Sequence, residues 1–459
     1  MFYLRLALGQ IIIDLFSQLL IDNKVSLVIA WVFQKALAFA EKSLAAAGDP
    51  EAAQSATHLV AHAVGERGSQ AASIVRRRAL EISAASGKQA TTLGSVPESL
   101  SLGTTAATAL QSLLRRRAAR EPVQYLLGEW DFHGLEGLRV GPPALVPRPE
   151  TEELVELVLG ALHRLRKARG IHDNGQSSKR PLRILDIGVG TGAIGLALLQ
   201  AMPPQDESTP IVVVALEPHP AAFALAEANA KQFGLSDRYA LFPGTFGDFV
   251  AARQGSHSVS NNEEPSTPTS WPAALPSAFG SFDPLHLQGS SSDEIRNDSN
   301  DNVDDMRFDL IVSNPPYIPS RDMLELAPEV AWYEDPGALC GGTDGLDLVR
   351  EMLNHAPSLL APGNLPTTDV GDAHEIPGNV WLELDLSHPS TLQAWLPPAN
   401  ATCVQPPTKK VAIMAESTPD AMPEKPPSGA YFVSAHNDFT RRARFVEIYC
   451  CETKALPLI

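Results

Sequence analysis

The stretch Ile184–Gly195, ILDIGVGTGAIG, runs an apolar strand into an acid, three alternating glycines and the first turn of a helix. Glycines at Gly188, Gly190 and Gly192 let a backbone turn tightly and approach a ligand, and the helix that follows offers N–H groups at its start. Outward from this point the texture repeats. Strand LRILDIG, helix GAIGLALLQAM, strand PIVVVALE and helix PAAFALAEANAKQF come first. A short strand YALFPG, strand RFDLIVSN, helix LDLVREMLNHAPSLL and strand NVWLELDL follow. Strands and helices alternating at these lengths predict a parallel, doubly wound α/β sheet. The terminal pieces GAYFVSAHND and ARFVEIYCC read as two further strands joined by a charged turn, an antiparallel edge.

A glycine-rich turn also serves dinucleotide-binding folds, in the spacing G-x-G-x-x-G. Here it is D-x-G-x-G-x-G, with Asp186 before the first glycine. That pattern favours a methyl-donor site, with Asp186, Gly188, Val189, Gly190, Thr191 and Gly192 around the amino-acid part of S-adenosylmethionine. The next strand ends at Glu217, where an acid hydrogen-bonds ribose hydroxyls in nucleotide-binding sheets; a helix-cap acid is the alternative. Phe246, in the loop after the short third strand, either covers an adenine face or is an ordinary core aromatic.

The fourth strand then stops at Asn314, Pro315, Pro316 and Tyr317, because proline cannot donate to a ladder. The Asn314 side-chain carbonyl and the Pro315 main-chain carbonyl are acceptors that can hold both N–H groups of a planar NH₂. Tyr317 can pack against the flat group. This chemistry needs orientation and electrostatics, without a metal or a tuned base.

The remaining composition sets limits. At 459 residues the chain has room for two or three domains. Its net charge of −17 provides no general attraction to phosphate backbones. Cys340, Cys403, Cys450 and Cys451 show no metal spacing and read as reduced thiols. Residues 1–35 are apolar but interrupted by Arg5, Asp14, Asp22 and Lys24, short of the roughly 20 apolar residues that span a bilayer. They are either an organellar presequence or a helix. Residues 36–120 carry a helical pattern expected to be a small docking domain, 121–150 a hairpin-containing linker, and 151–459 the α/β domain. Low-complexity insertions are expected at about 253–305, 365–378 and 399–428. The arginine runs Arg76–Arg78 and Arg115–Arg117 read as solvated helix faces.

The motifs together resemble a known family. NPPY after DIGVGTG is similar to amino methyltransferases of adenine, guanine or glutamine. The flanks EPVQYLLGEWDF, ALVPRPETEELVE and PEVAWYEDPGALCGGTDGLDLVREML resemble the HemK/PrmC protein-glutamine N5-methyltransferases, and ATHLVAHAVGE resembles their helical N-terminal domain. The resemblance implies a class I S-adenosylmethionine-dependent methyltransferase fold behind a small helical domain. It implies methyl transfer to the glutamine of the Gly-Gly-Gln motif in a class 1 peptide-chain release factor. Gly188–Gly192 would hold the methionine end of the donor, Glu217 the ribose, Phe246 the adenine side, and Asn314–Tyr317 the glutamine amide. Arg148, Pro149 and Glu150 would close over the cleft. A monomer is expected, without nucleic-acid or membrane partners, placed in mitochondria or otherwise the cytoplasm. The family has an acid where this chain has Thr245. The alternative is an adenine N6 or guanine N2 methyltransferase of nucleic acid; a noncatalytic binder or a nicotinamide-dependent oxidoreductase leaves NPPY unexplained.

Overall fold

The computed structural model describes residues 23–64, 104–172, 181–203, 211–254, 307–361, 379–398 and 425–450. The expected insertions lie almost wholly outside the described residues, as do residues 1–22, Arg76–Arg78, Cys403 and Cys451. Two compact units divide between Asp131 and Phe132, inside the stretch read as a linker.

The first unit holds helices α1 (Asn23–Ala46), α2 (Ala52–Ala63), α3 (Thr104–Ala118) and α4 (Val123–Leu127). Helix α1 is continuous across the expected boundary at residues 35 and 36. Leu44, Leu59, Val60, Leu110, Leu113 and Leu114 make its core, each recurring at helical spacing on the inward face. The arginine run at the end of α3 is not a uniform solvated face. Arg117 is buried and forks onto Asp49, Nε to Oδ2 at 2.8 Å and Nη2 to Oδ1 at 2.7 Å. Its neighbour Arg116 pairs with Glu121. The third arginine of the run falls on the same face as Leu110 and Leu114, seven and three residues before it, so it is carried into the core and needs an acid there.

The second unit is built on one sheet. A short hairpin, β1 (Glu129–Phe132) and β2 (Leu135–Arg139), contains the division. Then follow α5 (Pro149–His172), β3 (Leu182–Ile187), α6 (Ala193–Ala201), β4 (Ile211–Leu216), α7 (Pro220–Gln232), β5 (Tyr239–Phe242), α8 (Phe246–Arg253) and β6 (Leu310–Ser313). After a 3₁₀ turn at Asp322–Glu325 come α9 (Pro328–Ala331), α10 (Pro336–Leu339), α11 (Asp347–Leu359), β7 (Val380–Glu383), α12 (His388–Trp395), β8 (Ala430–Asn437) and β9 (Ala443–Cys450). The sheet order is β5-β4-β3-β6-β7-β9-β8. Strands β3 to β7 are parallel and β9 runs antiparallel to β7 and β8. This is the doubly wound sheet with an antiparallel edge expected from the sequence, the arrangement of a class I methyltransferase.

The strands are apolar on both faces because helices cover both. Ile211, Val213 and Ala215 of β4 join Leu182 and Ile184 in one cluster with α5 and α6. Val212, Val214 and Leu216 join Leu185 and Ile187 in the other, with α8 and α11. Each such aliphatic side chain contributes about 1.5–3 kcal/mol on burial. The order of strands reverses between β3 and β6, so their carboxyl ends splay apart and leave a crevice, the place where such sheets bind ligands.

Candidate active site

Four strand ends meet at that crevice. A cavity of about 400 Å³ is lined by Gly188 and Gly190 after β3, Glu217 after β4, Thr245 and Phe246 after β5, and Asn314 and Pro316 after β6. Asp335, Gly337 and Ala338 from the strap between β6 and α11 complete it, with Pro143, Ala144 and Leu145 from before α5. Gly188, Gly190, Glu217, Phe246, Asn314 and Pro316 are therefore brought together as expected. Asp186, Val189, Thr191, Gly192, Pro315, Tyr317, Arg148, Pro149 and Glu150 do not line the cavity.

The glycine loop is held by its own surroundings. Gly188 and Val189 both donate to the Leu216 carbonyl, at 3.0 and 3.1 Å, and Gly190 donates to Glu217 Oε2 at 2.8 Å. Glu217 Oε1 accepts the His219 N–H at 2.8 Å. Glu217 thus faces the cavity and also steadies the start of α7, so the two readings of this acid coexist. Burial pushes its pKa up, against the lowering effect of those two amides.

Asp186 departs from expectation. It is turned under the loop, where Oδ2 accepts the Gly195 N–H of α6 at 2.9 Å while Oδ1 has no partner. A carboxylate at a helix start is drawn to the free amides there. Burial raises its pKa to about 7, the Gly195 amide opposing and the Glu217 carboxylate adding. Gly195 is the reason this fits: a Cβ there would stand 2.8 Å from Asp186 Oδ2 and 2.9 Å from Tyr239.

Phe246 sits at the first turn of α8 rather than in a loop. Thr245 caps that helix, its Oγ1 accepting the Asp248 N–H at 3.1 Å while Asp248 Oδ2 accepts the Thr245 N–H at 2.9 Å. The pattern T-x-x-D is a capping box legible in the sequence. Thr245, where the resemblance leads one to expect an acid, serves as the cap of this helix. Phe246 belongs both to the core and to the cavity wall. Arg253, expected to open an insertion, instead closes α8, buried over the rings of Phe249 and Phe308.

The NPPY turn is held from two sides. The Asn314 amide donates from Nδ2 to Thr151 Oγ1 of α5 at 3.3 Å. Behind the turn, Ile318 donates to the Leu339 carbonyl, Gly341 to Ile318 and Ser320 to Gly342, at 2.9, 2.9 and 2.8 Å. The Gly-Gly-Thr-Asp-Gly loop, Gly341–Gly345, thus packs directly on the backbone of the turn. Tyr317 has its pKa pushed up to about 12, by burial first and then by the Glu383 carboxylate, so its hydroxyl stays neutral.

Glu334, Thr151 and Glu383 were not singled out from the sequence, and Arg148 takes a different place from the one expected. Arg148 forks onto the buried Glu334, Nη2 lying 2.7 and 2.9 Å from the two carboxylate oxygens. The next residue, Asp335, lines the cavity. Arg148 therefore anchors the strap instead of reaching into the cleft. Thr151 and Glu383 had no local signal, since their partners are more than 150 residues or a strand away.

Relatives of this chain are release factor glutamine methyltransferases. The MTRF1L release factor glutamine methyltransferase of Homo sapiens is 33% identical over 349 residues, which cover 76% of this chain and 75% of that protein. The release factor glutamine methyltransferase of Cereibacter sphaeroides is 30% identical over 338 residues, 74% of this chain and 85% of that one. That of Geobacter sulfurreducens is 34% identical over 263 residues, 57% of this chain and 65% of its own length. No family model matches the chain. Among solved structures, the hMettl16 catalytic domain in complex with a MAT2A 3′UTR hairpin has a TM-score of 0.32 and 12% identity. It covers 77% of this chain and 83% of that chain, a likeness too loose to carry an argument. Two relatives at 30% identity or more, each aligned over about three quarters of this chain, agree with the HemK/PrmC-like motifs, and the chain belongs to the release factor glutamine methyltransferase family.

Proposed function

We propose that this chain transfers a methyl group from S-adenosylmethionine to the side-chain amide nitrogen of the glutamine in the Gly-Gly-Gln motif of a class 1 peptide-chain release factor, in support of translation termination. The observation that carries this reading is the placement of Asn314 in the same cavity as Gly188, Gly190 and Glu217.

The residues fit the donor. A carboxylate at Glu217, two glycines without side chains and apolar walls from Leu216, Pro218 and Phe246 suit a nucleoside carrying a short polar tail. When bound, S-adenosylmethionine would supply a methyl group on a cationic sulfur, passed to the amide nitrogen as the S–C bond breaks, with the neutral thioether left behind and the amide proton released to water. Asn314 Oδ1 and the Pro315 carbonyl accept the two amide N–H groups of the substrate. Accepting both concentrates the nitrogen lone pair and fixes the direction in which it points. Tyr317, kept neutral, packs against the amide plane and takes no proton. Asp186 supports the donor loop from below through Gly195.

The nucleic-acid alternative is not favoured. The net charge is −17, Arg117 is committed to Asp49, and Arg116 is paired with Glu121. Among the described residues no helix is long and apolar enough to cross a membrane. Mitochondrial placement is part of this proposal, supported by the helical N-terminal unit, which resembles the bacterial and organellar branch of the family. So is action as a monomer.

The test is methyl transfer from labelled donor to a purified class 1 release factor, beside a copy with the Gly-Gly-Gln glutamine replaced and beside Asn314→Ala enzyme. Label on the intact factor alone, lost with Asn314→Ala while donor binding persists, is the expected result. Donor binding without label on any release factor would overturn the assignment.

A further inference from the structure

A primary amide has two ends of nearly the same shape and opposite polarity. Asn314 can hold a substrate NH₂ only if its carbonyl, not its own NH₂, faces the cleft. Something must decide which end points inward. The NH₂ end meets Thr151 Oγ1 at 3.3 Å. A threonine hydroxyl is no decision by itself, since it donates one hydrogen and accepts two. It could equally turn its hydrogen toward a flipped Asn314.

The decision lies one bond further on. The Thr151 side chain is also hydrogen-bonded to Glu383. Glu383 ends β7, the strand beside β6, and the register Ser313↔Leu382 sets Asn314 and Glu383 side by side at the next step. The Glu383 residue is 1% exposed, and its Oε2 is buried without a hydrogen-bond partner. Burial pushes the Glu383 pKa up to about 7, and above that pH its ionised carboxylate only accepts, so the Thr151 hydrogen goes to Glu383. Withdrawing it would leave a buried acid still poorer in donors, which is costly. With its hydrogen committed, the Thr151 oxygen can only accept from Asn314.

We propose that Thr151 and Glu383 are positioning residues that set the polarity of the Asn314 amide, directing its carbonyl at the substrate NH₂ through the chain Asn314–Thr151–Glu383. The proposal rests on the methyl-transfer reading and makes it specific for an amide. A site whose asparagine is locked as an acceptor rejects a carboxylate at the same position, so glutamine is distinguished from glutamate. Replacing Glu383 by glutamine removes the acceptor-only group that fixes the direction of the chain. The new amide can present either its NH₂ or its carbonyl to Thr151 Oγ1, so the hydroxyl hydrogen is free to turn to Asn314 Oδ1 and the Asn314 NH₂ to face the cleft.

The experiment uses the full chain with Thr151→Ser, Thr151→Val and Glu383→Gln. Donor affinity is measured by titration calorimetry and folding by thermal melting. Then kcat, KM and the relative affinities of release factors bearing Gly-Gly-Gln and Gly-Gly-Glu are compared. Thr151→Ser keeps the hydroxyl and is expected within about threefold of wild type. Thr151→Val and Glu383→Gln are expected to lower kcat about ten- to hundred-fold with donor affinity retained. Both should also lose most of the preference for glutamine over glutamate. Undiminished kcat and preference in Thr151→Val would overturn the relay, as would equal losses in Thr151→Ser and Thr151→Val. A wild-type chain that binds donor yet methylates no release factor would instead overturn the methyl-transfer reading, and the relay with it.

Discussion

Gly341→Ala is the sharpest perturbation of the candidate site that touches no ligand. A Cβ at Gly341 would stand 2.4 Å from the Pro316 carbonyl oxygen, 2.6 Å from the Gly345 oxygen and 2.8 Å from the Gly345 carbon. Ordinary carbon–oxygen approach is about 3.3 Å or more, so the Pro316 carbonyl must retreat by nearly 1 Å. All three obstructing atoms are backbone, so no rotamer change relieves them. The opposite flank is equally closed, since a Cβ at Gly345 would stand 2.2 Å from the Tyr317 carbonyl oxygen. The displacement is therefore delivered to the NPPY turn itself. A misplacement of about 1 Å lowers a rate on the order of a hundredfold, about 2.7 kcal/mol of barrier. Overpacking adds a stability loss of about 1–3 kcal/mol. The assay pairs kcat for methyl transfer with urea unfolding, and uses Gly160→Ala as control. Gly160 lies in α5, and its Cβ would meet nothing closer than Arg164 Nη1 at 3.6 Å, so that variant should be as active and up to about 1 kcal/mol more stable. Folded Gly341→Ala enzyme with kcat within about threefold of wild type would refute the view that this loop holds the turn in place.

Two further outcomes follow from the buried charges. Asp186 has its folded pKa raised from 3.8 to about 7, so its contribution to stability is fully present below about pH 4 and is lost as pH rises toward 7. That loss is on the order of 4 kcal/mol, and Asp186→Asn, melted without donor across this range, should lack it; parallel pH curves for the two proteins would contradict the assignment. Arg117→Ala leaves Asp49 buried without its cation, and should destabilise the helical unit by about 3–5 kcal/mol in chemical unfolding. Unchanged unfolding would mean that Asp49 finds water.

The local signals were legible because they are local. ILDIGVGTGAIG announces a strand, a turn and a helix within a dozen residues. Glu217 and Asn314 each end an apolar run, and parallel strands carry such ends to one edge of the sheet. The capping box at Thr245 and Asp248 was equally readable, and places Phe246 on a helix rather than in a loop. Asp186 misled for a specific reason. Its position before the glycines is the same whether it faces the cleft or turns under the loop, and only the absence of a side chain at Gly195 opens the second course.

By itself, then, the sequence determined the strand–helix alternation, the two apolar faces of the sheet, the glycine loop and the acceptor-bearing turn, because each depends on residues close along the chain. What those pieces lean on depends on packing between segments far apart in the chain. Arg148 meets Glu334, Arg117 meets Asp49, and Asn314 meets Thr151 across 186, 68 and 163 residues. Such pairings are set by which helix covers which strand and by the need of every buried charge for a partner. No spacing in the chain encodes them, since they arise only when burial has removed water as the alternative.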